Sequence, residues 1–385
     1  MALSLKRKIW HGLLYAMAVR RRLPAGRPLR SVGIFKVDRL GDFVLALGAI
    51  RAVTEHYGSE NCVLIVSGYA EGLARREFPA CEIVVLNADF GKLEEGMKYL
   101  RTKREHLVFK LGVERLVCLR HHRSPYIDLA LAAIPSAHTT GLEHTSLAQF
   151  AGEIFLSRLK FDCVVPVPRI AEKGECLELA ANRSVASDFI GRELVPADCI
   201  PKLHFPSANA GKPYMLLSPF TSMPVKDPPP RLLAETIQLV QASGGISIRI
   251  VVAPADINRA AALAATFEKT GARDVTVVTT PTLDDLLTQL AGATVCLVPD
   301  TATVHLAAAL DRPLLCFLGG GHYGWFGPWQ NSDKQRWRTN FVDCFGCNWH
   351  CRHPEAYCLT RISPAQVASE LLSLLAQNTG YGLAE

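Results

Sequence analysis

What most limits the fold of this chain is a strand–helix alternation that runs twice, with a proline-rich joint between the two runs. In the first run "VGIFKV" (from Val32), "NCVLIVS", "CEIVVLN" and "ERLVCL" are short β-branched segments flanked by turn or helix signals. Continuous apolar strands with helices between them imply a parallel sheet covered on both faces. From 135 to 210 the pattern loosens as Pro, Gly, Ser and Ala rise. There "VVPVPRI" and "PKLHFPSANAGKP" read as connections rather than central strands. The second run has "YMLLSPF", "SIRIVVAP", "DVTVVTT", "TVCLVPD" and "PLLCFLG" as strands, with helical segments such as "PRLLAETIQLVQAS" between them. The last helix, "SPAQVASELLSLLAQN", opens on Ser363 as cap and Pro364 at the first helical position. Two such runs predict an α/β chain of two doubly wound, Rossmann-like domains, residues 31–205 and 206–385, facing a central cleft. Ligands in such sheets gather outside the carboxyl ends of the strands.

A chain of 385 residues is long enough for two cores, and 49% hydrophobic with 20% charged residues excludes wholesale disorder. The net charge of +6 is concentrated in residues 1–30, where Lys6 to Arg30 is rich in Lys and Arg and holds no acid. That segment has neither the apolar run needed to span a bilayer nor the pattern of a cleaved signal. It reads as a basic amphipathic helix for an anionic membrane surface, or as a solvated helix packed on the first domain. Basic residues confined to one segment, with few aromatics among them, argue against a nucleic-acid partner. Twelve cysteines without an export signal point to the reducing cytoplasm, with peripheral attachment to the inner face of the membrane as the extension of that reading.

Three strand ends carry candidate chemistry. The first is the turn "DRLGD" before a helix expected to start near Phe43. There Asp42 is either a helix N-cap or a carboxylate base, Arg39 a group for an anion, and Gly41 the residue that lets the backbone bend. The second is "SPFTSMPVKDPPPR", where a strand ends at Ser218 and a loop delivers Lys226; hydroxyls, free N–H groups and one lysine suit a diphosphate. The third is "VCLVPDTATVHLAAAL", an apolar strand running into Asp300, Thr301, Ala302, Thr303 and His305. Its helix start carries free N–H donors for phosphate, and Asp300 can accept from sugar hydroxyls. The plainer alternative is a helix capped by Asp300 or Thr301, with His305 as a buried polar contact.

"FKVDRLGD…AIRAV" and "VPDTATVHLAAALDRPLLCFLGG…WFGPW" together resemble the family 9 glycosyltransferases, which include the ADP-heptose:lipopolysaccharide heptosyltransferases. The resemblance runs from about residue 31 to 375 and implies a GT-B fold. In that fold the first domain takes the acceptor and the second takes the nucleotide-sugar donor. It also implies inverting transfer without a required cofactor. By position, Asp42 is similar to the proposed general base of the family, and Lys226 to the lysine of its "K-x-W" loop, which neutralises diphosphate. Asp300, Thr301, Thr303 and His305 are similar to its "D-T-G-x-x-H" motif, whose aspartate contacts the donor sugar; Asp256 is a looser match to an acidic ribose or base contact. The chain departs from the family with Ala302 in place of glycine and with no tryptophan after Lys226. The resemblance implies a nucleotide-diphosphate sugar donor, with ADP-heptose foremost, and a lipopolysaccharide-core, lipid-linked or other envelope glycan acceptor. A protein acceptor is the alternative, and a non-catalytic nucleotide-sugar-binding module is a third reading.

The segment "CFGCNWHCRHPEAYC", residues 344–358, places Cys344, Cys347, Cys351 and Cys358 within fifteen residues. Four thiols so close suit a tetrahedral Zn²⁺ or Fe site that fixes a loop, and related cysteine-rich segments occur in some family 9 members. The plainer reading is a loop of reduced, packed cysteines.

Overall fold

The computed structural model describes residues 23–86, 106–122, 125–143, 161–169, 171–206 and 212–379. The helix expected in residues 1–30 lies, up to residue 22, outside the described residues. No helix among the described residues is long and apolar enough to cross a membrane.

The first compact unit runs to Ala171 and takes in Leu177–Cys199; the second is Glu172–Cys176 with Ile200 onward. The sequence pattern predicts one crossing between domains, near 205, whereas the chain passes between the units three times. What carries 177–199 back is the helix Leu177–Ile190, whose buried face includes Leu179, Val185 and Phe189. That apolar face is covered within the first unit, where the helix packs on the one at Leu40–Tyr57.

The first unit holds a six-stranded parallel sheet of β1 (Arg30–Lys36), β2 (Cys62–Ser67), β3 (Glu82–Leu86), β4 (Val113–Cys118), β5 (Ser136–Leu142) and β6 (Cys163–Val165). Their order across the sheet is β3-β2-β1-β4-β5-β6. The second unit repeats the plan with β7 (Tyr214–Leu217), β8 (Ser247–Val252), β9 (Val275–Thr279), β10 (Val295–Pro299), β11 (Leu314–Phe317) and β12 (Gln335–Arg338), in the order β12-β11-β10-β7-β8-β9. Both are the Rossmann order, in which the direction of winding reverses beside the first strand. The reversal falls between β1 and β4 in one unit and between β7 and β10 in the other.

β1, β2, β7 and β10 are buried along almost their whole length, as continuous apolar runs in a covered parallel sheet require. Phe35, Ile65, Phe109 and Ile127 meet in the first core; Leu217, Phe267, Phe317 and Leu371 meet in the second. Three strands escape the sequence pattern. β5, "SAHTTGL", is polar by composition, yet Ser136 and Thr139 are buried because their hydroxyls bond each other at 2.7 Å. β6 is a three-residue edge strand that stops before Pro166, and a proline-rich edge gives little sequence signal. β12 extends the second sheet past "PLLCFLG", the strand expected to close it.

Four helices flank these sheets near the strand ends of interest: α1 (Leu40–Tyr57), α2 (Leu177–Ile190), α3 (Pro230–Gly244) and α4 (Ala302–Ala309).

Candidate functional site

Each switch point holds a cluster of charged residues, and the two differ in kind. In the first unit the C-terminal end of β1 delivers Lys36, which is fully buried. An ammonium has three donors, and all three are satisfied: Glu178 Oε1 of α2 at 2.9 Å, the Leu119 carbonyl at 2.8 Å and Asp38 Oδ2 at 3.1 Å. Asp38 is also paired with Arg120, whose guanidinium donates to the His122 carbonyl at 2.8 Å. His121 Nε2 meets Asn182 Oδ1 at 2.8 Å, and Asn182 donates to the Leu45 carbonyl of α1 at 3.1 Å. Lys36 and Arg120 balance Asp38 and Glu178, so the buried cluster is close to neutral. Burial pulls the His121 imidazole down to about 4, against the pull of Glu178. Burial alone would push the Glu178 carboxyl up, but Lys36 and the neighbouring histidines hold it down at about 2.

Above this cluster runs the turn that carries the predicted acceptor-side residues. α1 begins at Leu40, three residues earlier than expected, because Arg39 is already extended (φ −70°, ψ 163°) and serves as N-cap without a side-chain hydrogen bond. Asp42 is therefore not the cap. It lies in the first turn of α1, half-buried, where a carboxylate complements the positive helix end. Gly41 occupies that same first turn and is not among the glycines of positive φ, so it does not bend the chain as expected. Arg39 is exposed.

In the second unit Ser218 and Asp300 directly follow β7 and β10, and Ser218 N donates to the Leu297 carbonyl at 3.2 Å. The loop after Ser218 is drawn together by Asp227, which accepts from Thr221 N at 2.8 Å and from Arg259 at 2.6 Å. Arg259 also binds Asp256 at 2.8 Å, which ties that predicted residue into the same loop. A 3-10 turn over Pro224–Lys226 then brings the Lys226 ammonium to 3.7 Å from Asp300 Oδ2. Of the two caps considered for α4, the structure selects Thr301, whose side chain accepts from Thr303 N at 3.3 Å. Ala302 begins the helix. His305 is buried and its Nδ1 accepts from Trp329 Nε1 at 3.0 Å, with the rings stacked.

Several residues of these clusters carry no signal in the sequence alone. Asp38, Lys36, Arg120 and Glu178 come together only through the 3-2-1-4 strand order and the return of α2, which no local pattern encodes. Trp349 is hidden inside the cysteine segment, where the thiols draw the eye. Its ring lies 4.8 Å from Lys226 Nζ, and its Nε1 donates to His322 Nδ1 at 3.3 Å.

The cysteine segment is less closed than its spacing suggests. Cys358 is buried, while Cys344, Cys347 and Cys351 are half-buried. Burial first, and then the three neighbouring thiols, raise the Cys351 thiol. The described residues whose ligand atoms all come within 4.8 Å of one another are Asp343, Cys344 and His353, however, not a set of the four thiols. The donor chemistry fits a thiophilic ion, but the present side-chain arrangement is not a tetrahedral thiolate cage.

Two Rossmann-ordered sheets in one chain are the architecture of the GT-B fold. Residues 180–347 match the model of glycosyltransferase family 9 (heptosyltransferase). Among solved structures the chain is similar to Escherichia coli heptosyltransferase WaaC with ADP: 19% identity, 89% of this chain and 99% of that one, TM-score 0.62. It is similar to a family 9 glycosyl transferase from Veillonella parvula at 13% identity, 91% and 98% coverage and TM-score 0.66. The iron-containing dodecameric glycosyltransferase TibC of enterotoxigenic E. coli matches at 12% identity, 94% and 78% coverage and TM-score 0.51. No curated protein matches the chain.

Proposed function

We propose that this protein is a family 9 glycosyltransferase that moves a sugar, with heptose from an ADP-heptose donor as the leading case, onto an envelope glycan such as a lipopolysaccharide core, with inversion. The observation that carries the reading is the Lys226–Asp300 pair at 3.7 Å beside the start of α4. Departure of a nucleoside diphosphate builds negative charge on phosphate. Lys226, the α4 dipole and the loop N–H groups are the groups suited to stabilise it. Asp300 would accept from donor-sugar hydroxyls, with Thr301, Ala302 and Thr303 at the helix start and Ser218 beside them. Asp256 would serve the ribose or base through the loop it shares with Arg259. On the acceptor side Asp42 would take the proton of the attacking hydroxyl, with Arg39 offering positive charge beside Gly41. The relatives with ADP, and TibC with ADP-D-β-D-heptose, support a nucleotide-sugar donor.

The test is product formation with a panel of nucleotide-sugars and a core-glycan acceptor. Asp42→Ala should abolish transfer and leave nucleotide binding nearly intact; unchanged turnover would remove Asp42 from the mechanism. Association with an anionic membrane surface through residues 1–30 is part of this reading, tested by salt-dependent vesicle binding with and without them. So is a structural Zn²⁺ or Fe ion held by Cys344, Cys347, Cys351 and Cys358, for which the iron of TibC is the supporting likeness. Metal analysis of the purified protein beside Cys347→Ser decides it. A protein acceptor is the second reading, favoured by that same cysteine segment.

A further inference from the structure

The loop that carries Lys226 lacks the tryptophan expected after the lysine, and the structure supplies an indole from elsewhere. We infer that Trp349, delivered by the cysteine-rich segment, is a positioning residue of the donor site, whose ring face holds the Lys226 ammonium for a nucleoside diphosphate. The inference rests on Lys226 being the diphosphate's cation, as in the proposed function.

Trp349 is held tightly for a residue in a loop. It is 8% exposed, and both it (φ +62°) and Asn348 (φ +50°) occupy the left-handed region, which costs a side-chain-bearing residue free energy. The compensation is a strip of bare backbone after β11. A Cβ added at Gly319 would lie 2.0 Å from the Trp349 ring, and one at Gly321 would lie 2.6 Å from it. Gly346 N donates to the Gly320 carbonyl at 2.9 Å and Asn348 N to the Gly321 carbonyl at 3.1 Å, so the segment is stitched to that strip. Asn348 and the Trp349 indole both bind His322, at 2.5 and 3.3 Å. The indole is thus fixed in position and orientation by its neighbours, not by Lys226.

Against this fixed ring the ammonium sits 4.8 Å from the ring centroid and 3.7 Å from Asp300, and it makes no hydrogen bond among the described residues. A ring face attracts a cation without accepting its N–H groups in the way a carboxylate does. The result is a cation that is located but whose donors are uncommitted, which is the state needed to receive phosphate oxygens. The cysteine-rich segment therefore contributes to donor binding through Lys226, by way of a residue that is not a thiol.

The experiment measures binding of ADP, GDP and UDP, and of the matching nucleosides, to the full-length protein by calorimetry. For the diphosphate that binds, Trp349→Leu should weaken affinity on the order of tenfold while Trp349→Phe retains most of it. The nucleoside should be nearly unaffected by either change. In a Lys226→Met background Trp349→Leu should cost nothing further, because the ring acts through the lysine. Site-specific replacement of Trp349 by mono- and trifluorotryptophan leaves the fold in place, and diphosphate affinity should fall stepwise with ring electron density. Equal affinities for the Leu and Phe variants, a full loss persisting without Lys226, or no response to fluorination would overturn the inference. If the wild type binds a diphosphate while Trp349 variants match it, only this inference falls. If the wild type binds none of the three, the assignment of Lys226 falls with it.

Discussion

Lys36 and Lys226 both stand near the reversal point of a Rossmann-ordered sheet, Lys36 as the last residue of β1 and Lys226 in the loop after β7, and they are used in opposite ways. Lys36 is fully buried and spends three donors on three acceptors between 2.8 and 3.1 Å. Lys226 retains partial exposure and stands 3.7 Å from its nearest carboxylate. A saturated ammonium can brace a fold but has little left for a ligand; an unsaturated one offers itself at the cost of weaker anchoring. The same topology therefore hosts a saturated lysine in one unit and one with uncommitted donors in the other.

The comparison breaks most easily by removing each charge in turn. Lys36→Met leaves Glu178 and Asp38 buried without it and should cost the first unit about 3–5 kcal/mol, as loss of one partner of a buried ion pair does. Lys226→Met should cost no more than about 1 kcal/mol of stability while weakening diphosphate binding. Urea unfolding followed alongside nucleotide titration checks both, and a Lys36→Met variant of native stability would dissolve the distinction.

Acid should find the brace next. His121 is neutral in the fold, with its imidazole pulled from 6.5 to about 4, so the unfolded chain binds the extra proton first. Stability from this group is fully present above pH 6.5 and is lost as pH falls toward 4, amounting to roughly 3 kcal/mol. Glu178, held at about 2 instead of 4.5, adds loss in the same direction below pH 4.5. Thermal melts across that range should show the first unit failing early, and His121→Asn should flatten the upper part of the slope.

The smallest effect concerns the support beneath Trp349. Gly319→Ala puts a methyl where the ring lies, at 2.0 Å, and overpacking of that kind costs about 1–3 kcal/mol. Diphosphate affinity should drop alongside stability, whereas Gly271→Ala, a glycine with open space around it (φ +88°), should strain the backbone and leave nucleotide binding alone.

Most of both sheets is legible in the sequence, because buried parallel strands are apolar throughout and announce themselves as runs such as "VCLVP" and "YMLL". β5 is not, since its buried serine and threonine pair with each other instead of being apolar. The Lys226–Asp300 contact is half legible: the two strand ends stand out separately, and the strand order that joins them is a long-range property. Asp38 sits in the turn "DRLGD" and adds only to its polarity when read alone, because a buried aspartate is defined by partners such as Arg120 that lie far along the chain. The start of α1 differs from expectation by three residues, as the polar residues of a first helical turn look like loop in a sequence.

The glycines after β11 also set what can vary. Gly319 and Gly321 are empty on one side because an indole fills the space, so neither can gain a side chain while Trp349 remains, and Trp349 has no seat if either does. A side chain at either glycine and the indole at 349 are alternatives for one volume, although some thirty residues separate them along the chain.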